Sequence, residues 1–183
     1  KNKKFLFGDQ VLDNVFWSCV SGGTFWTAYE VLYFWLAAEK RIPVISFESN
    51  PIWFIVLFLL LPVYRESHFY LIHRLIHWKP LLRAVHSLHH RNPNPGPWSG
   101  LSMHPVEHLL YFSSCAIFFF IPASPIHFLT TTIATGLAPA PGHTGFDTYL
   151  FNGWLPGGDF FHFLHHRHVS CNYGTPTAPW DKL

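Results

Sequence analysis

The sequence predicts an all-α fold: an integral membrane bundle of about four transmembrane helices carrying a histidine-rich helical cap on its cytosolic side. Three observations predict it. Apolar residues make up 49% of the chain and charged residues only 12%, about half the charged share of a soluble domain. Apolar runs long enough to cross hydrocarbon recur along the chain. Fourteen histidines concentrate between and after those runs at helical spacings. A length of 183 residues suits one domain, and 1–183 reads as a single membrane-embedded unit.

The elements follow in order. Residues about 11–38 and about 51–72 are each long enough to cross roughly 30 Å of hydrocarbon as helices. The first contains Ser21, Gly22 and Gly23 with Asp13 and Glu30; the second carries Arg65 and Glu66 near its end, where the helix is expected to leave lipid. Residues about 108–121 and 126–139, separated by "PASP", read as a helical hairpin that crosses and returns. Phe54, Phe58 and Phe118 to Phe120 are expected on a lipid-facing wall, and Trp and Tyr gather at the ends of the runs, as at a bilayer interface. Four crossings put the remaining segments, 73–107 and 140–183, on one side. Arg74, Lys79, Arg83, Arg91 and Arg167 lie there too, which marks that side as cytosolic. The stretch "HRNPNPGPWSG" at 90–100 is a loop, since its prolines and glycines exclude a helix interior.

Other classes are excluded in passing. A formal charge of +2, with its cations scattered among apolar runs, does not make a nucleic-acid surface. Three cysteines without a CxxC form neither a disulfide framework nor a zinc ribbon and fit a reduced, cytosol-facing setting. GxSxG, P-loop and GxGxxG motifs are absent from the sequence, and Cys171 near His168 is a poor nucleophile pair. The first residues lack the order of a signal peptide. A start without Met and a stop at "PWDKL" are expected of a piece of a longer protein.

The histidines carry the chemistry. Random placement of them gives about 0.08 expected matches to HxxHH, yet "HSLHH" at 86–90 and "HFLHH" at 162–166 both occur. On a helix, positions i, i+3 and i+4 share a face. His86, His89 and His90 are therefore expected to converge as one three-nitrogen facet, and His162, His165 and His166 as another. His73 and His77 add a pair at i, i+4. His104 and His108, around Glu107, and His143, four residues before Asp147, are weaker motifs. Glu107 either accepts the second ring N–H of a ligand histidine or caps the helix starting at Pro105. A buried histidine cluster without metal would hold imidazoles that repel when protonated and lack partners when neutral; a metal removes both problems. Eight or more converging nitrogens exceed one ion's needs, so two metal ions are implied, and this many imidazoles suit a redox pair that binds dioxygen better than a three-ligand zinc site. His168 falls off its facet, His68 faces headgroups or a neighbouring helix, and His127 lies on the far side.

At this point the residues resemble a known family. "HRLIH", "HSLHH", "HPVEH", "HTGFD" and "HFLHHRHVSCNYGT…WDKL" occur in the order found in the sterol desaturase and fatty acid hydroxylase superfamily of membrane di-metal oxygenases, over about residues 50–183. The resemblance implies an integral membrane enzyme, in the endoplasmic reticulum or a bacterial inner membrane. Its metal site faces the cytosol and uses dioxygen and two external electrons to hydroxylate or desaturate a lipid, be it sterol, fatty acyl or sphingoid. It implies two iron ions, with zinc as the alternative metal. The implied ligands are His73, His77, His86, His89, His90, His143, His162, His165 and His166; His104, His108 and His168 are further candidates, and Asp147 and Asn172 support ligands or a bound water. The third histidine motif has one clear member, His143, where acyl hydroxylases of the family show a pair. The chain has no flavin or haem motif, so a b-type cytochrome or other reductase is expected as electron donor. A reading from a different class is a non-catalytic histidine-rich subunit of a larger membrane complex.

Overall fold

The computed structural model describes residues 4–92, 94–144, 148–150, 155–157, 160–175 and 178–182. Helix α1 (Gln10–Phe16) starts where Asp9 Oδ1 accepts from the Leu12 N–H at 2.9 Å, satisfying one of the free amides of a first turn. A π-helical segment, Trp17–Gly22, joins it without a break to α2 (Gly23–Ala38). The "SGG" within the expected first span therefore widens the helix instead of ending it.

Helix α3 (Pro51–Ile76) begins with Pro51 in its first turn and an Asn50 side-chain cap on Trp53 N, the favoured use of both residues. It runs past the expected end at 72, so His73 lies inside the helix and His77 caps it. The chain continues through α4 (Lys79–Leu81), a π turn (Leu82–His86) and α5 (Ser87–His90), and then a loop containing a 3₁₀ turn, Pro97–Ser99.

Helix α6 (Pro105–Phe112) passes into a 3₁₀ stretch, Ser113–Phe119, and α7 (Pro125–Leu137) returns. Helix α8 (Pro139–Gly142), an antiparallel pair of three-residue strands β1 (Thr148–Leu150) and β2 (Leu155–Gly157), and α9 (Phe160–His168) complete the order before a final 3₁₀ turn, Pro179–Lys182. The fold is all-α as expected, the short strand pair being a local feature between α8 and α9.

Hydrogen bonds fix the direction of each segment. The α2–α3 connection meets the hairpin turn at one end of the bundle, where Ile45 N donates to Ala123 O at 3.2 Å and Trp53 Nε1 to Pro122 O at 2.7 Å. At the other end Gln10 and Ser18 donate to the carbonyls of Asn94 and Trp98. Four helical segments therefore alternate in direction, and the histidine segments share one end. Between them lies an aromatic core in which Tyr33 stacks on Phe128 with ring centroids 3.9 Å apart, beside Phe118 and Cys115. Phe118, expected to face lipid, is fully buried, whereas Phe120 is exposed.

Among the described helices only α3 is both long and apolar enough to cross a membrane, so the expected four spans are not all met. Its Ile52, Leu59, Val63 and Leu71 are exposed, as an apolar face turned to lipid would be. The hairpin limbs fall short by residue number. The first nevertheless stretches to about 26 Å, because its seven 3₁₀ residues rise about 2.0 Å each against about 1.5 Å in an α-helix.

Candidate metal centre

Nine histidines gather at one end of the bundle in two groups. His73, His77, His86, His90 and His165 form the first, and His89, His143, His162 and His166 the second, with the ligand atoms in each group within 4.8 Å of one another. All nine histidines that the resemblance implies as ligands are in these groups. The groups adjoin, since the rings of His86 and His89 lie 5.3 Å apart and those of His90 and His166 4.9 Å.

The expected facets do not hold together as units. His86 and His90 enter the first group while His89 enters the second; His162 and His166 enter the second while His165 enters the first. Successive helical residues turn by about 100°, so i and i+4 differ by about 40° whereas i+3 and i+4 differ by about 100°. The i, i+4 pair therefore shares a centre, and the i+3 residue reaches across to the other.

Ring orientation is set by acceptors behind the rings. His73 Nδ1 donates to Tyr173 O at 2.6 Å, His143 Nδ1 to Pro139 O at 2.6 Å, and His165 Nδ1 to Cys171 O at 2.5 Å. His86 Nδ1 donates to Glu107 Oε1 at 2.7 Å, with both side chains 2% exposed. A carbonyl only accepts, so His73, His143 and His165 each carry a proton on Nδ1 and turn the Nε2 lone pair toward the groups. Of the two roles open to Glu107, the structure shows the bond to a histidine, although the partner is His86 of α5 rather than its neighbours His104 and His108. Val169 and Asn172 adopt left-handed backbone, φ 66° and 56°, which folds the chain after α9 back so that the Cys171 and Tyr173 carbonyls reach these rings. A β-branched residue rarely accepts that conformation. Asn172 supports the turn through Nδ2 donating to Phe161 O at 3.0 Å.

The residues fit metal ions. His143 Nε2 lies 3.0 Å from His166 Nε2 and 3.3 Å from His89 Nε2; His90 Nε2 lies 3.1 Å from His165 Nε2 and 3.3 Å from His77 Nε2. With metal–nitrogen bonds of about 2.1 Å, neighbouring ligand nitrogens stand about 3.0 Å apart at right angles and about 3.4 Å apart in a tetrahedron. The observed spacings are those of ligands around a shared ion. His86 Nε2 is buried with no hydrogen-bond partner among the described residues, which is costly unless a cation takes it.

Burial, reinforced by neighbouring imidazoles, holds these rings neutral. It lowers His77 to about 3, His90 to about 2 and His143 to about 4, and drives His86, His89, His162 and His166 downward as well. Neutral imidazole is the form that binds metal.

The remaining candidates stand apart. His104 caps α6, accepting from Val106 N, and His108 bridges Ser21 Oγ at 2.8 Å and Leu101 O at 3.0 Å; those bonds hold the π-helical segment Trp17–Gly22, α6 and the loop before α6 together. His168 is exposed and outside both groups. Asp147 lies outside the described residues. His68 bonds Ser113 Oγ on the neighbouring helix, and His127, at the far end, bonds Phe54 O.

Beside both groups a cavity enclosing about 820 Å³, counting its open mouth, is lined by His73, His86, His89, His143 and His162 at one end. Phe69, Ile72, Met103 and Tyr111 line its apolar wall.

Comparison with known proteins gives the family. The family pattern "Fatty acid hydroxylase" matches residues 54–183. The chain is 32% identical over 115 residues to the Delta(7)-sterol 5(6)-desaturase ERG3 of Saccharomyces cerevisiae, covering 62% of this chain and 31% of that protein. It is 28% identical over 124 residues to the Delta(7)-sterol 5(6)-desaturase of Eremothecium gossypii, covering 66% and 34%. The chain spans about a third of the length of these curated relatives. No solved structure matches it.

Proposed function

The chain belongs to the fatty acid hydroxylase family, and from that premise we propose that it is the metal-bearing part of a membrane-bound di-iron oxygenase that desaturates or hydroxylates a lipid C–H bond. The observation that carries the proposal is the division of nine histidines into two adjoining groups against an apolar-walled cavity. The first group would hold one ion and the second the other. Bound iron would supply the reduction of dioxygen to an oxidant strong enough to remove hydrogen from an unactivated carbon.

The chain's own residues do the rest. The Tyr173, Pro139 and Cys171 carbonyls fix the tautomer of three rings and aim their Nε2 atoms inward, and Glu107 holds the His86 ring in place, which spares the site reorganisation when metal loads. Phe69, Ile72 and Met103 keep the cavity apolar, favouring a lipid and excluding the water that would quench an oxidant. The substrate is read as a sterol, since the matched relatives are named sterol desaturases. Electrons come from a separate donor, a b-type cytochrome or other reductase, and the metal site faces the cytosol beside the basic residues of the cap.

The test is metal and product analysis of the purified whole protein. Two irons per chain are expected, with an oxygen-dependent oxidised lipid. Substoichiometric, redox-inert metal and no such product would overturn the reading in favour of a non-catalytic subunit.

A further inference from the structure

The cavity has a second, polar end that the histidine chemistry leaves unused. We propose that Arg65 and Glu66, joined by Thr175, form a hydroxyl-recognition site that selects an uncharged lipid bearing one small hydroxyl and sets which part of it reaches the histidines. The inference rests on the reading of the cavity as the lipid chamber of an oxygenase.

The three residues line the same cavity as His73 and His143. Arg65 precedes His73 by eight positions on α3, a rise of about 12 Å. Between the two ends the wall is Phe69, Ile72 and Tyr111. An occupant that fills the space thus needs an apolar body with hydrogen-bonding capacity at one end.

The charges specify what that end is. Arg65 Nη2 donates to Glu66 Oε1 at 2.7 Å, Arg65 Nη1 to Ala134 O at 3.3 Å, and Thr175 Oγ1 to Glu66 Oε2 at 2.5 Å. The pair is largely screened from water, with side chains 26% and 16% exposed. Its net charge is zero, so a carboxylate or phosphate headgroup would gain the guanidinium only by standing against the Glu66 oxygens. A hydroxyl suits the pair because it can accept from a guanidinium N–H and donate to a spare carboxylate lone pair at once. An ether oxygen accepts but cannot donate. A site built to bond a hydroxyl discriminates strongly against analogues that lack it, because its buried polar groups are then left unpaired. A clamp that only tied α3 to α7 would show no such preference.

The experiment is equilibrium binding to the whole metal-loaded protein in lipid nanodiscs. Its probes are the fluorescent 3-hydroxysterol dehydroergosterol, its 3-O-methyl ether, and a matched long-chain alcohol and carboxylate. The wild type is expected to bind the hydroxysterol at least about tenfold tighter than the ether and the alcohol tighter than the carboxylate. Glu66→Gln and Arg65→Gln are expected to bring the hydroxysterol-to-ether ratio within about twofold with metal content unchanged. Equal wild-type binding of hydroxysterol and ether overturns the proposal, as does tighter binding of the carboxylate or a fully metallated variant that keeps its preference. The wild-type ratios decide the matter should either variant fail to load metal. Failure of the oxygenase reading shows separately, as missing iron or missing oxygen-dependent product.

Discussion

At the scale of single residues, the side chains that matter most are those that hold the histidine segments in place. Glu107 is buried and its Oε1 holds His86 by Nδ1, so the carboxylate sets the ring that reaches the first group. Glu107→Leu is expected to weaken metal binding about 10- to 100-fold, the usual effect of losing such a partner, measured by competition with a chelator; unchanged affinity would contradict the role. Asp13 is fully buried against Arg91, the residue after His90, and also accepts from Leu6 N at 3.0 Å. Asp13→Asn leaves the Arg91 charge without its counter-ion, and breaking such a pair costs about 3–5 kcal/mol. A lowered thermal midpoint should accompany faster proteolysis ahead of α1. Neither contact was legible from spacing, because Asp13 and Arg91 are 78 positions apart.

At the scale of elements, the HxxHH motif on α9 and the one spanning the π turn and α5 connect the two histidine groups. Each gives an i, i+4 pair to one group and its i+3 residue to the other. Substitution should therefore sort by group. His77→Ala removes a ligand only from the first group and His166→Ala only from the second, so each is expected to leave about one tightly held iron per chain with the other ion weakened. Metal counting checks this, and equal loss of both ions from either variant would defeat the assignment. Packing between elements has its own narrow point. A Cβ on Gly136 of α7 would stand 2.0 Å from the Trp26 ring of α2, and that ring is held by Nε1 donating to Glu30 at 2.6 Å. Gly136→Ala should push the helices apart and destabilise the bundle by about 1–3 kcal/mol, seen as a lower midpoint on thermal unfolding.

At the scale of the whole molecule, the cap is an assembly of neutral imidazoles whose protonation opposes folding. His143 and His77 are lowered from 6.5 to about 4 and about 3, so between those values and 6.5 the unfolded chain binds more protons than the folded one. The stability from neutral histidines is complete above about pH 6.5 and falls as pH drops toward 4 and below. The metal-free protein should lose thermal stability steadily from pH 7 to pH 5, and metal should oppose the loss; a flat profile would contradict this. The sequence by itself determined the helical character, the family, the nine histidines and their i, i+4 geometry, because helical period and ring chemistry are local properties. It could not decide which histidine joins which group, that Glu107 pairs with His86, or that the Pro139, Cys171 and Tyr173 carbonyls orient rings. Those depend on segments up to 100 positions apart, such as His73 and Tyr173, being brought together. Only the packing of antiparallel helices, which puts the end of α3, α5, α8 and α9 at one end of the bundle, makes two histidine groups out of scattered motifs.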